Sequence, residues 1–198
     1  VKLAKTAGFC WGVERALDIV LETSNKAKAP VYTHGPLIHN PQTVSLLKEK
    51  DITPYDPAET PSDNGLLVIR AHGISPQVRE KLRNSGSTIR DATCPLVAQV
   101  HGVIRKHSRL GAHTVIIGEE GHPEVEGTMG QYKKKTEQNG IYLVETIDDI
   151  NQLSIHNLDK LGFVTQTTLS SDDTKNIIQQ LKQKFPNIEG PKKNDICY

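Results

Sequence analysis

Ile89-Arg90-Asp91-Ala92-Thr93-Cys94-Pro95-Leu96-Val97 joins the end of a strand, a cysteine and the first turn of a helix within nine residues. Thr88 and Ile89 suit a strand. Pro95 suits the first helical position, where its missing N–H and fixed φ cost nothing. Leu96, Val100, Val103, Ile104 and His107 then recur at helical spacing until Gly111. Cys94 therefore falls where a strand hands over to a helix, a position whose free N–H groups and dipole favour a thiolate. A cysteine there is placed for metal or nucleophile work, and a buried structural cysteine is the alternative.

The same handover recurs along the chain. A short strand over Val1–Lys5 leads through Gly8 to Cys10, and Val13, Ala16, Leu17, Val20 and Leu21 form a helical apolar stripe after it. A strand over Pro30–Thr33 leads to His39. Asn40 then suits an N-cap, and Pro41 opens a helix through Lys50. Asp51–Asn64 is polar and proline-bearing, a loop with at most a short strand. Gly65–Arg70 is a continuous apolar run of the kind found in buried parallel strands. It leads to His72, with Ser75 as N-cap and Pro76 opening a helix to Asn84.

Thr114–Gly118 is another buried strand, and it opens into a turn carrying His122, Glu124 and Glu126. Lys133–Gln138 reads as a charged surface turn. A strand over Ile141–Val144 and a short helix over Ile147–Leu153 follow. Leu161–Val164 is a strand leading into Thr165-Gln166-Thr167-Thr168. Ser170 or Ser171 then caps a helix with Thr174, Ile177, Ile178, Leu181 and Phe185 on one face, and Pro186 stops it.

Cys10, His39, His72, Cys94, His122 and Thr167 thus all stand between a strand and a helix. In parallel α/β sheets, ligands collect outside the carboxyl ends of the strands. The expected fold is α/β: two small domains of mainly parallel sheet flanked by helices, meeting at a cleft. The expected domains are residues 1–94 and 95–190, with a tail, 191–198, that carries Cys197. The 198 residues suffice for real cores. With 24 basic and 23 acidic residues, the net charge of +1 gives no pointer to nucleic acid or an anionic membrane. No apolar run approaches membrane-spanning length, and no signal-peptide pattern is visible from Val1 on.

Three cysteines, an odd number, exclude a full disulfide framework and suggest metal binding or catalysis. No Cys-x-x-Cys pair is present. Three thiolates can hold a zinc ion, or three irons of a 4Fe–4S cluster with the fourth iron open. His39, His72 and His122 beside helix starts suit an anion such as a diphosphate, against the alternative of three structural histidines. Glu124 could relay protons, whereas Glu126 reads as a solvated loop acid. Thr165, Thr167 and Thr168 offer hydroxyls, either to a ligand or as helix caps.

Gly8-Phe9-Cys10-Trp11-Gly12-Val13, Ile38-His39-Asn40, Ala71-His72-Gly73, Asp91-Ala92-Thr93-Cys94-Pro95, Gly121-His122-Pro123-Glu124-Val125-Glu126-Gly127, Thr165-Gln166-Thr167-Thr168 and Asp195-Ile196-Cys197 occur in that order. Together they resemble the 4-hydroxy-3-methylbut-2-enyl diphosphate reductases, iron–sulfur enzymes of the non-mevalonate isoprenoid pathway. The resemblance runs from Gly8 to Tyr198. It implies a 4Fe–4S cluster on Cys10, Cys94 and Cys197 with one iron not bound by cysteine. It implies a diphosphate pocket lined by His39, His72, His122, Thr165 and Thr167, with Glu124, His122 and Thr167 catalytic. The implied reaction is a two-electron reductive dehydroxylation giving isopentenyl and dimethylallyl diphosphates. The implied electron donor is a ferredoxin or flavodoxin, and the implied compartment is the bacterial cytoplasm or the plastid stroma of a plant or alga.

The family architecture has three domains around a central cluster. Its third domain would bring a Ser-x-Asn motif and a further serine, which these residues do not include. Full activity is therefore not expected of this chain alone. The competing expectation is a truncated or non-catalytic metal- or diphosphate-binding module of the same fold.

Overall fold

The handover at Cys94 is built as its sequence suggests: strand β4 ends at Asp91 and a helix runs Pro95–Leu110. The computed structural model describes residues 7–55, 65–133, 136, 139–155, 158–191 and 195–197. The strand expected over Val1–Lys5 lies outside the described residues, as do residues 56–64 of the expected loop and part of the expected turn at 133–138. The chain divides into two compact units, one of Val1–Gly73 with Val78–Pro95 and one of Ile74–Gln77 with Leu96–Tyr198.

The first unit carries α1 (Trp11–Lys26), β1 (Val31–His34), α2 (Pro41–Lys48), β2 (Ile52–Tyr55), β3 (Leu66–Ile69) and β4 (Thr88–Asp91), and between the last two strands it holds α3 (Pro76–Asn84) from Val78 on. Its sheet order is β2-β1-β3-β4, and every pairing is parallel. The stripe on α1 buries Ala16 and Val20 against Val31, Ile52 and Val68. Asn40 caps α2, its side chain accepting the Thr43 N–H at 2.8 Å. That helix stops at Lys48 rather than Lys50, because Lys50 N and Asp51 N turn back to Leu47 O and Lys48 O and Asp51 enters the left-handed region at φ 58°.

The second unit holds α4 (Pro95–Leu110), β5 (His113–Ile117), α5 (Pro123–Met129), β6 (Ile141–Val144), α6 (Ile147–Gln152), β7 (Leu161–Thr165) and α7 (Ser171–Lys184). Its parallel sheet has the order β6-β5-β7. Alternation along β5 makes two cores. Val115 and Ile117 pack with Ile150, Leu181 and Phe185, while Ile116 packs with Val100, Ile104 and Val125. Helices thus cover both faces, and every residue of β5 and β7 is buried.

Helix α5 replaces the turn expected between Glu119 and Gly130. It is only seven residues long, and Gly127 interrupts its pattern, so periodicity did not reveal it. Pro123 at its first position and His122 as its cap were the available signals. No helix among the described residues is long and apolar enough to cross a membrane.

After α7 the chain returns along β7. Phe163 N donates to Glu189 O at 2.8 Å, and Glu189 N donates to Leu161 O at 3.0 Å. Beyond that pairing, Thr165 N donates to Asp195 Oδ2 at 3.2 Å and Cys197 N to Thr167 O at 2.8 Å.

Gly118, between β5 and α5, sets how closely that corner packs. A Cβ there would stand 2.6 Å from Val125 Cγ2 and 3.2 Å from Gln166 Oε1. Gly118→Ala should therefore destabilise the fold by about 1–3 kcal/mol through overpacking. Urea denaturation followed by far-UV circular dichroism would read this, and an unchanged midpoint would show that the corner yields freely.

Candidate functional site

In the first unit the two cysteines stand at helix entrances. Cys10 is the N-cap residue of α1, with extended backbone and no side-chain cap bond, and its carbonyl accepts the Glu14 N–H at 3.0 Å. Cys94 N donates to Ala71 O at 2.9 Å, which ties the end of β4 to the end of β3. Asp91 shapes the turn between them, taking the Thr93 N–H at 2.9 Å and pairing with Arg79. A Cβ on Gly12 would lie 2.7 Å from Cys94 Sγ and 3.9 Å from Cys10 Sγ. The two thiols therefore flank one bare helical residue. Cys10 is exposed, Cys94 and Cys197 are half-buried, and none of the three is in a disulfide.

His39 and His72 come together in the same unit, with ring centroids 4.4 Å apart and planes at 52°. Both follow strand ends, as the sequence pattern indicated. His34, on β1 itself, was not singled out by sequence. Burial, reinforced by the charge of Arg70, lowers its imidazole to about 4. It is thus neutral at pH 7 and packs edge-on against Tyr55.

In the second unit Glu124 lies in the first turn of α5 and is 2% exposed. Its Oε1 accepts the Thr167 N–H at 2.6 Å and its Oε2 accepts the Thr167 hydroxyl at 2.9 Å. Burial raises this carboxyl above its ordinary value, the two Thr167 bonds oppose that, and the charge of Asp195 adds to it. Glu126, one residue past Val125, is exposed.

His122 Nδ1 accepts the Glu124 N–H at 3.1 Å. A nitrogen that accepts carries no proton, so this arrangement is the neutral tautomer protonated on Nε2.

Thr167 is the junction of the second unit. Its N–H and hydroxyl go to Glu124, and its carbonyl takes the Cys197 N–H. One residue thus joins a buried carboxyl to the segment that carries the third cysteine. Thr165 is buried, and among the described residues its Oγ1 has no hydrogen-bond partner. Neither Thr165 nor Thr167 caps α7, where Ser170 accepts the Asp173 N–H.

Two residues had been given no role from sequence. Gln166 accepts the Glu119 N–H at 3.0 Å and donates to Thr168 Oγ1 at 2.9 Å, bracing the turn after β5 against the turn after β7. Asp195 takes the Thr165 N–H and is 5% exposed. Its signal was a lone acid two residues before a cysteine.

The chain matches known proteins along its whole length. A family model described as LytB protein covers residues 1–198. The 4-hydroxy-3-methylbut-2-enyl diphosphate reductase of Saccharophagus degradans is 47% identical over 199 residues, which is 100% of this chain and 63% of that protein. The protein of the same name from Aeromonas salmonicida is 44% identical over 198 residues, with 100% and 63% covered. Among solved structures, the E-1-hydroxy-2-methyl-but-2-enyl-4-diphosphate reductase from Plasmodium falciparum superposes with a TM-score of 0.88 at 36% identity, over 98% of this chain and 59% of that one. The chain spans about 63% of the length of the curated relatives it matches. Matched by one family model from its first residue to its last, the chain belongs to the LytB protein family.

Proposed function

We propose that this chain supplies the cluster-binding and proton-handling parts of a 4-hydroxy-3-methylbut-2-enyl diphosphate reductase. The observation that carries the reading is Thr167, whose N–H meets a buried carboxyl of raised proton affinity and whose carbonyl meets the Cys197 segment. In the proposed reaction the allylic C–O bond breaks, two electrons and two protons enter, and water leaves. The products are isopentenyl and dimethylallyl diphosphates. The electrons come from a ferredoxin or flavodoxin type donor. The reaction runs in the bacterial cytoplasm, or in the plastid stroma of a plant or alga.

Cys10, Cys94 and Cys197 are the proposed cluster ligands. The residues fit such a group: all three are thiols outside disulfides, and the bare Gly12 leaves the Cys94 sulfur room that any side chain would fill. When bound, a 4Fe–4S cluster with one iron free of cysteine supplies low-potential electrons and a Lewis acid for the leaving hydroxyl.

The other roles fall to the protein's own groups. His39, His72 and His122 bind the diphosphate, His122 donating through Nε2 while its Nδ1 holds the Glu124 N–H. Thr165, on the last position of β7, is the further proposed diphosphate ligand, its buried Oγ1 being without a hydrogen-bond partner among the described residues. Burial raises the proton affinity of Glu124, which suits it to take up and deliver a proton, and the Thr167 hydroxyl on its Oε2 is the proposed relay.

Anaerobic reconstitution with iron and sulfide tests the cluster. A brown iron–sulfur chromophore is expected, and a colourless chain that takes up zinc instead would point to a metal-binding module. Replacing any one of Cys10, Cys94 or Cys197 with serine should lower the iron content. Gly12→Ala should do so as well, because its methyl would meet the Cys94 sulfur. Full iron retention by Cys197→Ser would remove the three-cysteine set.

Glu124→Gln separates the proton role from packing, since its Oε1 still accepts the Thr167 N–H and its Nε2 donates to the Thr167 hydroxyl. In a full-length enzyme with an artificial low-potential donor, turnover should fall by about 10²–10⁴-fold. The Michaelis constant should move little. Glu126→Gln, on the exposed side of α5, is the control and should leave turnover within about twofold, the ordinary spread of such comparisons.

The same variant carries a pH signature. A carboxyl raised by folding stabilises the fold below its unfolded value, and that stabilisation is lost as pH rises through the raised value. Wild type should therefore lose stability relative to Glu124→Gln as pH rises from about 4, where a free glutamate titrates. Urea midpoints of both proteins across this range check it, and a gap independent of pH would show that burial does not raise the carboxyl.

A further inference from the structure

We propose that Asp195 is the positioning residue for Cys197, its carboxylate clasping the cysteine segment to the open edge of β7. The inference rests on the reading of Cys197 as a cluster ligand. It begins with register. Glu189 pairs with Gly162 as a parallel bridge, and Cys197 N reaches Thr167 O. Between Glu189 N on Leu161 O and Cys197 N on Thr167 O, eight steps of chain run beside six steps of strand, leaving two residues of slack. At about 3.3 Å per extended residue, that slack could move the cysteine by roughly 7 Å.

A continuous ladder cannot fix the position. Pro191 has no N–H to offer one, and among the described residues the next bond to β7 comes from a side chain. Asp195 Oδ2 stands where a neighbouring strand would present a carbonyl, and it takes the Thr165 N–H. Two residues on, the backbone resumes with Cys197 N to Thr167 O. The carboxylate thus restarts the register immediately before the thiol. Asp195 is 5% exposed, and among the described residues no ion pair involves it. A buried carboxylate without a cation is costly, so its backbone bond is the interaction that accounts for it. Ile196, 8% exposed, anchors the segment between the two polar contacts.

The test uses the metal-free chain, with each variant first shown to be folded by far-UV circular dichroism. Amide hydrogen exchange at Thr165 and Cys197 is read by NMR, and iodoacetamide alkylation of Cys197 by mass spectrometry with Cys94 as internal reference. Asp195→Ala should accelerate both exchange and Cys197 alkylation by roughly ten- to a hundredfold, the loss of one charge-assisted bond. Asp195→Asn, whose Oδ1 still accepts, should stay within about threefold of wild type. Asp195→Ser, too short to reach the Thr165 N–H, replaces the alanine variant if that one does not fold. Unchanged Cys197 exchange and alkylation in Asp195→Ala would overturn the proposal, as would an Asp195→Asn variant that moves as far as alanine. Both readouts are taken without metal, so their failure is distinct from failure of the cluster assignment.

Discussion

Every backbone group on a strand buried on both faces needs a partner, and β7 is such a strand at the end of its sheet. One side of β7 is satisfied by β5. The other is satisfied piecemeal, by the backbone of Glu189, the carboxylate of Asp195 and the N–H of Cys197. Past the strand, the Glu124 carboxylate closes the account for Thr167. Had a fourth strand covered this edge, neither the Thr165 nor the Thr167 peptide would be open to side chains. The chemistry proposed for the second unit depends on that incomplete sheet.

The ionisable groups divide by what burial does to them. His34 is driven neutral in the interior of the first unit and serves packing against Tyr55. Glu124 is pushed the other way, its carboxyl raised above the ordinary value with a hydroxyl in contact. The same desolvation thus favours the neutral form of a base in one place and of an acid in the other. His122 links the two behaviours, because the bond that caps α5 also decides which of its nitrogens carries hydrogen.

The elements legible in the sequence were those with local signals. Pro95 and the apolar spacing of Leu96 to His107 marked α4, whose bounds match the reading. Asn40 marked the start of α2, which its side chain does cap, and of the two serines read as the cap of α7 it is Ser170 that caps it. Apolar runs marked β3 and β5 as buried strands and β7 as a strand, and α/β architecture followed. What escaped depends on partners far away in the chain. Glu124 meets Thr167 across 43 residues, and Asp195 meets Thr165 across 30, so no window of sequence contains either pair. Ile74–Gln77 belongs with the second unit because the buried Gln131 donates to Ile74 O and Gly130 gives Ser75 room to approach. Nothing in those four residues announces it.

The mismatch between the returning chain and β7 bears on how the sequence can drift. Where a ladder is continuous, one inserted residue displaces every group beyond it and turns side chains to the opposite face. Here the count between Glu189 and Asp195 is uncoupled from the position of Cys197, because the register is re-established after the gap. Relatives can therefore lengthen or shorten the stretch around Gly190-Pro191 without disturbing the cysteine. The spacing from Asp195 to Cys197 has no such freedom. Alignments should show gaps collecting on one side of the aspartate and none on the other.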